Sequence, residues 1–277
     1  MTRAVRLPDG TSVPALGQGT WHMGESSGRR RQEIAAIRLG VELGMTLIDT
    51  AEMYGEGGAE AMLGDALEGL REQVFLVSKV YPQNAGRGRI ERACEASLKR
   101  LNTDRLDLYL LHWRGSVPLA ETVEGMEALV AAGKIRRWGV SNFDTRDMQE
   151  LWSAGGEACA TNQILYNVTE RGPEYELMPQ LARRGVPVMA YSPVGQGRLP
   201  RSRALEAVAA RHEATPFQIA LAWALRNPTV IAIPKATSEV HVRDNHRAGD
   251  IALTAQDLAE IDADFPPPSR RTPLSML

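Results

Sequence analysis

The sequence has few cysteines, few aromatic residues and no long apolar run. Its two cysteines, Cys94 and Cys159, lie far apart and match neither a metal-ligand nor a redox spacing, so they read as reduced, buried thiols. The five histidines, His22, His112, His212, His241 and His246, form no His-x-His strand motif. The five-residue step from His241 to His246 is a poor ligand spacing on a helix, so no metal is expected. No stretch approaches the ~18 consecutive apolar residues of a membrane helix. The opening MTRAVRLPDG lacks the continuous apolar core of a signal peptide. Charge of one sign is also missing: the net charge is −2 over 277 residues, which creates no field for nucleic acid or an acidic membrane surface. The basic cluster GRRRQ at 28–32 opens a helix-like stretch and reads as a solvated face. These absences predict a soluble cytoplasmic chain with no nucleic-acid or membrane partner. It is expected as a monomer, since no long apolar surface helix demands a partner.

A nucleotide fingerprint is absent too. GQGTWHMG and GEGGAE do not supply Gly-x-Gly-x-x-Gly in a strand–turn–helix context, and there is no Gly-Lys-Ser/Thr P-loop. This weighs against a doubly wound open sheet. What is present is an alternation. VRLPDGTSVPAL places two short apolar runs around Pro8-Asp9-Gly10, a hairpin signal. Strand candidates follow at 15–20, 46–49, 74–79, 106–112, 135–141, 160–163, 187–191 and 230–235, with helical stretches between them. In RIERACEASLKRL, Ile90, Ala93, Cys94, Leu98 and Leu101 recur near a 3.6 period and predict one buried stripe. Thr215 and Gln218 form a capping-box pattern with Pro216 at the first helical position. Thr254 and Asp257 form another, with Leu253 and Leu258 placed to staple it. Eight strands alternating with helices predict an α/β fold, a (β/α)8 TIM barrel with an N-terminal β-hairpin and an additional C-terminal helix. No linker or low-complexity tract splits it, so residues 1–277 are expected to form one domain.

In such a barrel the active site lies at the C-terminal ends of the strands. The polar residues there are Asp49 with Tyr54 in the loop beyond, Lys79, His112, Ser141-Asn142, Asn162-Gln163, Tyr191-Ser192 and Lys235. Singly, Asp49 could cap a turn, Lys79 could snorkel at a rim, and His112 could be a hydrogen-bonded core histidine. Together they suggest proton delivery by a phenol. A lysine cation about 4 Å from the phenolic oxygen favours the phenolate by ~4 kcal/mol at an effective dielectric of about 20. That is roughly three pKa units, enough to bring a tyrosine near 7, where acid–base catalysis is efficient. Asp49 would hold Lys79 protonated, and neutral His112 would donate to a substrate oxygen. Such a set suits hydride addition to a carbonyl, because the alkoxide formed must be protonated. Tyr191 offers an aromatic face for a nicotinamide, Ser141, Asn142 and Gln163 suit a carboxamide, and Lys235 offers charge to a phosphate. Gly55, Gly57 and Gly58 read as the turn that returns Tyr54 over the mouth.

PALGQGTW, LIDTAEMYG, LVSKV, YLLHW, WGVSNF, NQILYN, AYSPVGQG and IPKATSEVHVRDN together resemble the aldo-keto reductase family over almost the whole chain. The resemblance implies a tetrad of Asp49, Tyr54, Lys79 and His112, and NADPH or NADP+ (with NADH as a further possibility) bound across the barrel mouth without a Rossmann fold. It implies nicotinamide contacts at Ser141, Asn142, Gln163 and Tyr191. It places phosphate-side contacts at Ser192, Val194, Gly195, Lys235, Ala236, Thr237, His241, Asp244 and Asn245, and an apolar substrate pocket at Trp21, Tyr81 and Trp113. Three features depart from the common pattern. Ala236 follows the lysine of IPK where many NADPH-preferring members have serine, and His241 stands six residues after it where they have arginine. Arg243 lies two residues on, where helical geometry puts it on another face. Arg114 follows Trp113 where many members have proline. The loop PVGQGRLPRSR and the tail FPPPSRRTPLSML are short, which predicts an open pocket resembling that of compact bacterial members. The reaction expected is reduction of aldehydes and ketones, with small activated carbonyls such as methylglyoxal, or aromatic aldehydes, as first substrates. Competing readings are a Schiff-base aldolase using Lys79 and a non-catalytic NADP(H)-binding regulatory subunit.

Overall fold

The computed structural model describes residues 3–277. The chain enters as a hairpin, β1 (Ala4–Arg6) against β2 (Ser12–Pro14), with Val5 opposite Val13. Its turn is closed by Asp9, whose carboxylate accepts from the Thr11 amide, and by Gly10 at φ 87°. Arg137 then clamps Asp9 and Thr11. Val5, Leu7 and Val13 are buried in one cluster with barrel residues Leu47, Val77, Leu108, Leu110 and Met189, so the hairpin plugs the barrel floor.

Eight parallel strands follow: β3 (Gln18–Gly19), β4 (Leu47–Asp49), β5 (Phe75–Val80), β6 (Leu108–Leu111), β7 (Trp138–Ser141), β8 (Asn162–Leu165), β9 (Val188–Tyr191) and β10 (Val230–Ala232). They pair in sequence order. A parallel bridge from Leu16 to Ala232, with the Gly17 amide donating to the Ala232 carbonyl, closes the ring between β3 and β10. The barrel expected from the alternation is the barrel observed. Strand limits differ where the chemistry dictates. β10 stops at Ala232, ahead of Pro234, which has no N–H to give. Asn162 and Gln163 open β8 rather than ending it: the stagger of the barrel sets Gln163 level with Ser141, the last residue of β7.

The outer layer is α1 (Arg30–Glu42), α2 (Gly58–Ala66), α3 (Arg89–Arg100), α4 (Leu119–Ala131), α5 (Thr145–Ser153), α6 (Leu177–Arg183), α7 (Arg203–Arg211), α8 (Pro216–Leu225), α9 (Glu239–Ala248) and α10 (Ala255–Asp264). The α3 stripe is buried as its periodicity predicts. Thr215 and Thr254 cap α8 and α10 through reciprocal bonds with Gln218 and Asp257. The α10 capping residue is also an anchor: Asp257 takes Arg211, the last residue of α7, and His212 just after it, binding the two supernumerary helices together. Among the described residues no helix is long and apolar enough to cross a membrane.

Alternation along the strands separates two cores. Ile48, Leu76, Tyr109, Val140 and Ala190 face the helices, while Leu47, Val77, Leu108, Leu110 and Met189 fill the interior. Two residues past Leu47, Val77, Leu110 and Met189, on the same face, stand Asp49, Lys79, His112 and Tyr191. The period of a strand therefore stacks a polar layer on an apolar one and aims it into the mouth.

Candidate active site

Tyr54 sits on a turn no ordinary sequence would take. Gly55, Glu56 and Gly57 are all left-handed, at φ 57°, 53° and 89°. The next glycine serves close approach: a Cβ on Gly58 would stand 2.5 Å from the Gly24 carbonyl oxygen, so the two loops touch backbone to backbone. The turn starts α2 and leaves the Tyr54 ring almost buried, with its hydroxyl against Lys79. This is the turn the glycine spacing predicts.

The Lys79 ammonium is fully buried and donates three bonds, to Asp49 Oδ2 at 2.7 Å, the Thr50 carbonyl at 2.9 Å and Tyr54 Oη at 3.1 Å. All three of its protons are placed. Asp49 Oδ1 accepts from Gln163 Nε2 at 2.7 Å. Burial disfavours the Lys79 charge, but Asp49 and Tyr54 more than offset it and hold its pKa above the usual lysine range. Burial pushes the Asp49 carboxyl up, against the pull of Lys79 and Gln163.

The expectation of a phenol near neutrality is corrected. Burial raises the Tyr54 pKa above 10; Lys79 opposes this and the Asp49 charge reinforces it. At 3.1 Å a lone cation would favour the phenolate by about 5 kcal/mol at an effective dielectric of about 20. Lys79 is not a lone cation, because the Asp49 carboxylate on its other side cancels much of its field. Tyr54 in the resting protein is therefore a protonated donor.

His112 packs edge-on to Tyr54, with ring centroids 5.9 Å apart. Burial, and secondarily the Lys79 charge, push its pKa down to about 2, so the imidazole is neutral. Its Nδ1 is enclosed without a partner. A stranded lone pair costs less than a stranded N–H, so the proton belongs on Nε2. This burial has a consequence for stability. Unfolded His112 gains a proton as pH falls through 6.5, whereas the folded residue does not until about 2, so the native state loses stability across that window. The slope is about 1.4 kcal/mol per pH unit for one proton. Urea unfolding of His112→Gln should show acid destabilisation shallower by that amount between about pH 6 and 4. An unchanged slope would mean that His112 protonates in the native state.

These groups open on one cavity of about 760 Å³ across the barrel mouth. Trp21, Tyr54, His112 and Trp113 line the part over the early strands. Ser141, Asn142, Gln163 and Tyr191 line the middle, already bonded to one another and to the backbone. Tyr191 Oη donates to Asn142 Oδ1 at 2.9 Å, Asn142 Nδ2 donates to the His112 carbonyl, and Ser141 Oγ donates to the Gln163 carbonyl. Asn142 and Ser192 hold φ of 59° and 48°, uncommon for side-chain-bearing residues and found where a site fixes the backbone. Ser192, Val194, Lys235, Ala236, Thr237, His241, Asp244 and Asn245 line the part over β9 and β10.

Three expected residues stand off the wall. Lys79 lies beneath Tyr54, Tyr81 packs edge-on against Trp113 at 5.8 Å, and Gly195 is absent from the lining although Val194 and Gln196 belong to it. The wall also holds residues the sequence did not single out, among them Arg198, Phe217, Met276 and Leu277. The open-pocket expectation is thereby amended. The tail passes the segment ahead of α6, where Arg271 pairs with Glu176 and Thr272 lies on Gly172, and its last residues return to the mouth. No group of three or more His, Cys, Asp or Glu among the described residues is placed to hold a metal.

The sequence model of the Aldo/keto reductase family matches residues 15–264. The chain belongs to the aldo/keto reductase family. Methylglyoxal reductase YeaE of Escherichia coli is 52% identical over 99% of both chains, and a glyoxal reductase of Bacillus subtilis is 33% identical over 94% of this chain and 91% of its own. A crystal structure of an aldo/keto reductase from Klebsiella pneumoniae in complex with NADP and acetate superposes with a TM-score of 0.97, at 54% identity and complete coverage of both chains.

The departures from the family pattern have local explanations. Arg114 does not line the mouth: its guanidinium donates to the Gly115 and Val117 carbonyls and braces the loop as a proline would. Arg243, exposed on α9, is likewise absent from the cavity wall, as helical geometry predicts. His241 does line it.

Proposed function

We propose that the chain reduces aldehydes and ketones to alcohols with NADPH, taking small activated carbonyls such as methylglyoxal and aromatic aldehydes. The supporting observation is the buried chain from Asp49 through Lys79 to Tyr54, ending at a cavity wall beside a neutral imidazole. NADPH, when bound, supplies a hydride to the carbonyl carbon. The residues' part is to hold the carbonyl oxygen between Tyr54 Oη and His112 Nε2, and to give it a proton as it becomes an alkoxide, a far stronger base than a phenolate. Lys79 then stabilises the Tyr54 phenolate until solvent returns the proton. Ser141, Asn142, Gln163 and Tyr191 suit a carboxamide and an aromatic ring by chemistry and position. Gln163 also acts on the tetrad, since its amide N–H fixes Asp49 and leaves its carbonyl for the ring amide. The polar wall over β9 and β10 suits the phosphates, and Trp21 and Trp113 an apolar substrate group. Tyr81 and Gly195 act indirectly, on Trp113 and on the loop after β9.

We read residues 1–277 as one barrel domain working as a cytoplasmic monomer without nucleic-acid partners, in keeping with the net charge of −2. The test is consumption of NADPH and NADH over a panel of aldehydes, ketones and dicarbonyls. Turnover of methylglyoxal with NADPH is expected. Tight NADPH binding with no turnover on any carbonyl would replace this reading with the regulatory one.

A further inference from the structure

The half of the cavity over β9 and β10 carries a cation that the resemblance does not assign. Its charged wall residues are Lys235, Asp244 and Arg198. Arg198 is exposed, and among the described residues its guanidinium has no ion-pair or hydrogen-bond partner. This sets it apart from arginines such as Arg171, Arg211 and Arg226, each committed to carboxylates. Its backbone leaves a tight turn in the loop after β9. Gly195, Gln196 and Gly197 are left-handed in succession at φ 57°, 56° and 75°, and the Arg198 amide closes the turn on the Gly195 carbonyl at 2.9 Å. Phe217, at the start of α8 and 42% exposed, lines the same cavity and offers an aromatic face to it.

We propose that Arg198 is the specificity residue for the adenosine 2′-phosphate, acting with Lys235 to select NADPH over NADH. This rests on the reading above, in which the nicotinamide lies by Tyr191 and the adenosine is carried toward α8 and α9. A phosphate there meets two cations, Lys235 and Arg198, neither of them ion-paired among the described residues, and the planar fork of Arg198 matches phosphate oxygens. Phe217 gives the adenine a stacking face. Arg198 thus provides charge that His241 and the outward-turned Arg243 do not fix at this wall.

Binding of NADPH, NADH and adenosine 2′,5′-bisphosphate, measured by calorimetry on the full chain, tests the assignment in Arg198→Gln and Arg198→Lys. Arg198→Gln should weaken NADPH and the bisphosphate about tenfold, with the loss shrinking as salt rises. NADH affinity should stay within about twofold, and Arg198→Lys should lie between the wild type and Arg198→Gln. Equal losses for NADPH and NADH would overturn the proposal, placing Arg198 on the shared diphosphate, and unchanged affinities would overturn it outright. A wild-type protein that binds neither dinucleotide would instead reject the underlying reading of function.

Discussion

Tyr54→Phe is expected to lower kcat/KM for methylglyoxal reduction about 10³-fold, in the range for loss of a general acid, while NADPH affinity stays close to wild type. The loss should fall in kcat, because the missing proton is needed as the alkoxide forms. Removing the hydroxyl leaves the Lys79 ammonium bonded to Asp49 and the Thr50 carbonyl, so the fold should hold. Undiminished turnover would remove Tyr54 from the mechanism. The raised phenol pKa adds a pH signature. Reduction needs the protonated phenol, so in the wild type no decline through neutrality should arise from Tyr54 ionisation, and less than half of the activity should be lost to it by pH 10, its unperturbed value. A decline through neutrality that disappears in a variant with residual activity at this position would mean that Lys79 acidifies the phenol after all.

The barrel was readable because its signals are local and repeated: eight apolar runs, helix stripes, capping boxes and a hairpin turn. Asp49, Lys79 and His112 were readable for a related reason, since each lies two residues past an apolar residue of the barrel interior, while Tyr54 was placed from the glycine turn beyond Asp49. Sequence could not foresee what depends on a third group. Lys79 was expected to acidify Tyr54, but burial of the phenol outweighs the cation, and the Asp49 charge, 2.7 Å from the same ammonium, adds to it. Gln163 was expected to face the cofactor amide alone, yet the barrel stagger delivers its N–H to Asp49, 114 residues away. Arg198, Phe217, Met276 and Leu277 reach the wall through loops whose paths no periodicity encodes. The run of glycines around Gln196 was the one available signal that this loop makes a fixed turn.

Lys79→Met should abolish reduction and destabilise the protein by about 3–5 kcal/mol, the usual consequence of leaving one member of a buried ion pair alone. The Asp49 carboxylate, almost closed to solvent, would keep only the Gln163 amide as partner. The deficit should depend on pH with a definite sign. The Asp49 pKa, already raised by burial, rises further without the cation. The variant therefore keeps its stability below the unfolded carboxyl value of about 3.9 and loses it as pH rises through the folded value. Asp49→Asn combined with Lys79→Met removes the buried charge altogether and should recover most of the lost stability, measured by urea midpoints. It should recover none of the activity, because no cation then stabilises the phenolate. A double variant as unstable as Lys79→Met would assign the loss to packing of the lysine stem. A double variant that regains turnover would show that Tyr54 delivers its proton without Lys79.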